Sequence, residues 1–207
     1  MKKLVFILIS FFIVKILFAQ SEVKYIFNSK SDIEYDFFLG PECKVGKMIE
    51  GYQVYAGMKA AVIFNNKIAF GVSGGGFITE TVFEGLNDMG EEALLNTVMA
   101  YGGFYFDYII PTGIPLQISF PTLLGASGVT LFASAHNIQD RADEEMVEGG
   151  IFFIFEPAIN LELNITSFMR IGLGGGYRLA VKGDMDRLSA RDISAATFNF
   201  NMKFGSF

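Results

Sequence analysis

Between Ile151 and Asn164 apolar and polar positions alternate. Ile151, Phe153, Phe155, Pro157, Ile159, Leu161 and Leu163 take the odd positions, while Glu156, Ala158, Asn160, Glu162 and Asn164 take the even ones from 156. Successive side chains of a strand point to opposite faces, so this segment presents one apolar face and one small or polar face. Helical spacing would scatter the same residues around all sides. The pattern recurs in Phe198, Phe200, Met202 and Phe204 against Thr197, Asn199, Asn201 and Lys203. It recurs in Val54, Ala56, Met58, Ala60 and Val62 against Tyr55, Gly57, Lys59 and Ala61, and again in Phe104, Phe106, Tyr108 and Ile110 against Gly103, Tyr105 and Asp107.

Eight such segments are predicted, at about 37–48, 51–64, 67–79, 97–110, 114–133, 149–164, 168–181 and 194–206, with Pro121 expected to mark a bulge or kink in the fifth. The connections alternate in length. Asn65-Asn66, Pro111-Thr112-Gly113 and Ile165-Thr166-Ser167 are short links suited to hairpins. At the opposite end the first link, around Ile49-Glu50-Gly51, is tight, and the others are long and polar: 80–96, 135–148 and 182–193. Short turns at one end and longer loops at the other are the asymmetry of outer-membrane barrels. An even strand count puts both termini at the short-turn, periplasmic end. Glu91-Glu92-Ala93-Leu94-Leu95 is read as one helical turn over the barrel mouth.

Two glycine clusters, GVSGGGF from Gly71 and RIGLGGGYRL from Arg170, suggest phosphate-binding loops at first sight. Neither completes G-x-G-x-x-G: in the second, Tyr177 stands where the last glycine belongs and no amphipathic helix follows, and the first also fails the pattern. Both fit the strand alternation instead: Arg170, Gly172, Gly174, Gly176 and Arg178 share one face. Glycine there keeps the inner wall low, so that long side chains from across the lumen can lie against it.

The first residues, MKKLVFILISFFIVKILFA, have a basic start, an apolar middle and a small residue before a polar stretch, the form of a secretory signal. The expected organisation is a signal peptide at 1–19, an N-terminal periplasmic segment at 20–35 and a barrel at 36–207. Removing the signal takes away Lys2, Lys3 and Lys15 and shifts the net charge from −6 to −9. That acidity argues against nucleic acid as a partner. One cysteine, Cys43, excludes an internal disulfide framework and a cysteine-based zinc site. The chain is 51% hydrophobic, yet beyond residue 19 no stretch approaches the roughly 20 apolar residues of a membrane helix. Only helices and closed barrels satisfy every backbone group in lipid. The fold class is therefore all-β: an eight-stranded antiparallel up-and-down transmembrane β-barrel.

On these features the chain resembles the small eight-stranded outer-membrane β-barrels of Gram-negative bacteria, the OmpA- and OmpX-like group. The resemblance covers nearly all of the mature chain and rests on the signal, the strand count, the loop asymmetry and the terminal Phe207. It implies residence in the outer membrane, with contacts to its lipid and lipopolysaccharide. Phe207 is similar to the terminal signal by which the outer-membrane assembly machinery recognises its substrates. Another membrane protein is a further possible partner. Because Phe207 is off the parity of Phe198, Phe200 and Phe204, Gly205-Ser206 is expected to slip register or fray.

Parity points Glu42, Lys44, Lys59, Asp107, Glu156, Glu162, Arg170, Arg178 and Lys203 inward. Charges in a narrow, poorly hydrated interior are costly alone, so they are expected to pair across it and close it. An ion path is the alternative, but an eight-stranded interior has room only for side chains or one small ligand. His136, beside Ser134 and near Glu144 and Glu145, is the one candidate for an outer-leaflet hydrolase; such chemistry needs those groups within hydrogen-bond reach. A soluble lipocalin-like binder is a third reading, which the polar inner face opposes. The outer links are acidic: Glu80, Glu84, Asp88, Glu91 and Glu92 in one, Asp140, Asp143, Glu144, Glu145 and Glu148 in the next. Carboxylates of this kind suit divalent cations that bridge lipopolysaccharide phosphates. The expectation is a non-catalytic barrel with no cofactor and no metal, acting in a structural, accessory or surface-contact role.

Overall fold

The computed structural model describes residues 34–48, 51–78, 81–86, 92–112, 114–134, 145–181, 183 and 185–207. The expected signal peptide, the periplasmic segment up to residue 33 and His136 lie outside them. The strands are β1 (Tyr35–Met48), β2 (Gly51–Phe64), β3 (Ile68–Phe77), β4 (Thr81–Leu86), β5 (Glu92–Ile110), β6 (Leu116–Ser134), β7 (Glu145–Asn164), β8 (Met169–Val181) and β9 (Ala195–Gly205). A single helical turn, α1 (Ala190–Ile193), precedes β9. The sheet runs β3-β2-β1-β9-β8-β7-β6-β5-β4, and β3 also pairs with β5. That last pairing closes the wall. β3 and β4 occupy one wall position, each antiparallel to a different part of β5, so the barrel is eight-stranded and up-and-down.

Alternation is carried into space as the pattern dictates. Along β7, Ile151, Phe153, Phe155, Ile159, Leu161 and Leu163 are exposed, while Phe152, Ile154, Glu156, Asn160 and Glu162 are buried. On β9 Phe198, Phe200 and Phe204 face out, and Thr197, Asn199, Asn201 and Lys203 face in. The barrel is thus an inverted globule, with aromatic and aliphatic side chains outside and ionised ones within. On the outer wall near the chain termini, rings follow one another from strand to strand: Tyr35–Phe64 at 5.5 Å, Phe64–Phe70 at 6.3 Å and Phe70–Phe106 at 5.0 Å between centroids. An aromatic girdle of this kind marks a membrane interface.

The β2–β3 hairpin turns on Asn65 and Asn66, both with left-handed φ (51° and 56°), and Lys67 N–H donates to Phe64 O at 3.0 Å. Asparagine tolerates that region better than other non-glycine residues, and paired left-handed residues match the twist of the flanking strands.

Three sequence expectations are corrected. Pro121 introduces no bulge: its register with Asp107 is continuous, and across β6–β7 the pairing skips it without shifting. A proline merely deletes one donor from the ladder. The irregularity lies between Leu131 and Phe132 instead. Glu92 to Leu95 are strand, not a helical turn, because β5 continues past the expected rim and carries β4 with it. Nor does Gly205-Ser206 slip or fray. Ser206 N–H donates to Phe37 O at 3.1 Å, and Phe207, on the inward parity, packs against the buried Phe38, Ile63 and Ile109 group.

Candidate functional site: the barrel interior

All nine charged residues assigned inward by parity line one lumen, where each is at least nine-tenths buried. Near the termini, Lys203 Nζ lies 2.9 Å from Asp107 Oδ2 and 2.5 Å from Glu162 Oε1. Arg170 reaches Glu162 at 3.3 Å and donates from Nε to Asn164 Oδ1 at 2.6 Å. Tyr105 donates to Asp107 at 2.7 Å and Ser119 to Glu162 at 2.8 Å. Rings cover the cations: Phe38 lies 4.8 Å from Lys203 Nζ, and Phe207 lies 4.2 Å from the Arg170 guanidinium.

Mid-barrel, a second cluster forms. Lys59 meets Glu42 at 2.5 Å, and Lys44 bridges Glu42 at 3.1 Å and Glu156 at 2.9 Å. Arg178 Nε donates to Glu156 Oε2 at 2.9 Å. Between the clusters runs an amide ladder, in which Asn201 donates to Asn199 and Asn199 to Asn160, at 3.2 and 3.1 Å. The glycines of β8 make room for it. A Cβ on Gly174 would overlap Asn160 Oδ1, and one on Gly172 would come within 2.8 Å of Asn201 Nδ2. A cavity of about 20 Å³ is bordered by Glu42, Lys44, Tyr105, Glu156 and Asn199. That is room for about one water molecule.

Above Arg178 and Glu156 the chemistry changes. The interior at the loop end is apolar: Met48, Leu95, Met99, Leu131, Phe152, Ile154 and Ala180 pack together, with Tyr55 and Tyr101 as its floor. Leu188 and Ile193, from the segment between β8 and β9, fill its centre and are 4% and 0% exposed. The segment is held from outside. Asp186 and Arg187 N–H groups donate to the Glu148 carboxylate at 2.5 and 3.2 Å, and Asp192 accepts from Ser189 N–H in a capping box over α1. Sequence reasoning passed over this apolar floor. Its signal was visible in Phe152 and Ile154, which are as greasy as their odd-numbered neighbours but share the parity of Glu156.

Of the acidic outer positions, Glu84, Glu92, Glu145 and Glu148 fall within β4, β5 and β7, whereas Glu80, Asp88, Glu91, Asp140, Asp143 and Glu144 lie outside the described residues. Among the described residues no group of His, Cys, Asp and Glu is arranged to hold a metal ion, and no helix is long and apolar enough to cross a membrane.

No protein-family model matches the chain, and no curated protein matches it. Solved structures do. Neisserial surface protein A aligns over 86% of this chain and all of its own, at 9% identity and a TM-score of 0.53. Ail of Yersinia pestis, solved in complex with the heparin analogue sucrose octasulfate, aligns over 84% of this chain and 99% of its own, at 12% identity and a TM-score of 0.50. Identities this low establish shared architecture. A closed wall with exposed aliphatic and aromatic side chains and buried charges is a lipid-spanning barrel, and the outer membrane of Gram-negative bacteria is where such barrels reside. The chain has the fold of the small eight-stranded outer-membrane β-barrels.

Proposed function

We propose that this protein is a non-catalytic outer-membrane barrel whose interior is sealed by its own ion pairs, and that it serves a structural, accessory or surface-contact role through the acidic strand ends and links at its outer rim. The observation that carries the reading is that the buried ion pairs of the inner network reach across the lumen. Lys203, Asp107 and Glu162 are 0% exposed, with Lys203 bridging the two carboxylates, and the mid-barrel cluster joins β1, β2, β7 and β8 directly across the lumen. Breaking one pair strands a charge in a low-dielectric interior, so the network resists opening. A hydrated ion would have to displace several pairs at once.

At the rim, the excess of carboxylates favours cationic partners, including divalent ions that bridge lipopolysaccharide phosphates. Ail was crystallised with a polysulfated ligand; the acidic outer positions of this chain disfavour a polyanion, so the partner class differs. Phe207 is the recognition element for the assembly machinery during insertion and becomes an interior packing residue afterwards.

Purified barrel in planar bilayers tests the seal. Flat current traces at both polarities are expected, and discrete conductance steps would overturn the sealed reading.

A further inference from the structure

The loop-end chamber combines three features that a simple seal does not require. Its lining is mostly apolar, with Leu95, Met99, Leu131, Phe152 and Ile154 packed together. Its centre is filled by Leu188 and Ile193, which come from a link and not from the wall. Gly183 in that link passes so tightly over the Phe152 ring that any side chain there would collide with it. The link is tied down by hydrogen bonds to Glu148 at exposed positions, and such surface ties open more readily than a strand ladder.

The floor carries unspent polarity. Arg178 lies between two rings, its guanidinium 4.4 Å from the centroid of Tyr55 and 5.6 Å from that of Tyr101. Its Nε serves Glu156, but the buried Nη2 has no hydrogen-bond partner. The charges are also unequal. Near the termini Lys203 and Arg170 balance Asp107 and Glu162, whereas at mid-barrel Lys44, Lys59 and Arg178 face only Glu42 and Glu156. One positive charge is left uncompensated directly beneath an apolar chamber. Buried ions without partners are unfavourable, and a ligand supplying one negative charge relieves the imbalance.

We propose that this chamber is a binding site for an amphipathic monoanion, a single aliphatic chain ending in a carboxylate. The chain replaces Leu188 and Ile193 when the described stretch 185–194 lifts, and the carboxylate accepts a hydrogen bond from Arg178 Nη2. Entry is from the loop end, since the ion-pair network blocks the other. The proposal goes beyond the sealing role and stands or falls apart from it: conductance reads the network, and ligand retention reads the chamber.

The test uses the full barrel in detergent micelles, with bound small molecules counted by native mass spectrometry. Decanoate, decanol and decyltrimethylammonium share a chain and differ in head group. Decanoate is expected at one copy per barrel, with affinity at least about tenfold above the other two. Ile154→Trp, which fills the chamber and leaves the charge cluster intact, is expected to abolish retention while heat-modifiable gel mobility persists. Arg178→Met is expected to bring decanoate down to the level of decanol. Equal retention of all three probes, retention of none, or undiminished decanoate binding in a folded Ile154→Trp barrel would each overturn the proposal.

Discussion

The two halves of the lumen are built from the same strands with the same alternation, yet they hold together by opposite means. Toward the termini, Asp107, Glu162, Arg170 and Lys203 hold each other by ion pairs among Asn and Ser side chains. Toward the loops, Phe152, Ile154, Leu95 and Met99 pack as in a soluble core, closed by Leu188 and Ile193. A barrel in lipid gains nothing from the hydrophobic effect on its outer face, where side chains meet hydrocarbon in any case. The charged half supplies cross-barrel links that water cannot replace, and the apolar half supplies burial where the lumen meets the aqueous outside. Directional contacts dominate one half and volume the other, so the halves should fail differently.

The largest separation is expected from Lys203→Met. It removes the cation shared by Asp107 and Glu162 and leaves Asp107 without an ionic partner, at a loss of about 3–5 kcal/mol. Urea unfolding of the barrel in liposomes should show the fall in midpoint. Replacing both Lys203 and Asp107 with apolar residues should recover much of it, because no charge is then stranded. Leu188→Ala in the other half is expected to lose roughly 2–5 kcal/mol less whatever the link recovers by settling into the space, and no second-site apolar change should rescue it as the double replacement does. Gly174→Ala sharpens the boundary between the halves. Its new methyl collides with Asn160 and breaks the amide ladder, for a loss of about 1–3 kcal/mol by the same assay. Phe198→Leu on the outer face is expected to shift the midpoint least, within about 0.5 kcal/mol, since lipid fills the place of the ring.

Much of this architecture was legible in the sequence because alternation is a local rule. Parity on β7 and β9 assigned the outward Phe and Leu residues and the inward Glu162 and Lys203 without any knowledge of their partners. The partners themselves were not legible: Lys203 meets Asp107 across a separation of 96 residues, which depends on strand order and stagger. Parity also says which side a residue faces and not what fills the space there, so the loop-end chamber and its Leu188 and Ile193 filling went unread. The strand ends at 92–96 and 145–148 were taken for loop because the links around them are long and polar, whereas backbone pairing carries the wall through them. Phe207 was expected to break register only because it was assumed to face lipid. Facing inward, it follows the alternation and stacks on Arg170.

The central claim is that apolar positions face hydrocarbon while their immediate neighbours face a closed interior, and Cys43 offers a direct probe of it. It is the chain's single cysteine and is exposed on the outer wall of β1, between the inward-facing Glu42 and Lys44. A nitroxide attached to Cys43 in the unfolded chain, followed by refolding into bilayers, lets collision rates with oxygen and with a water-soluble nickel chelate be measured by power saturation. The account predicts ready relaxation by lipid-dissolved oxygen and little by the chelate. Relaxation dominated by the chelate would place this face in water and contradict it.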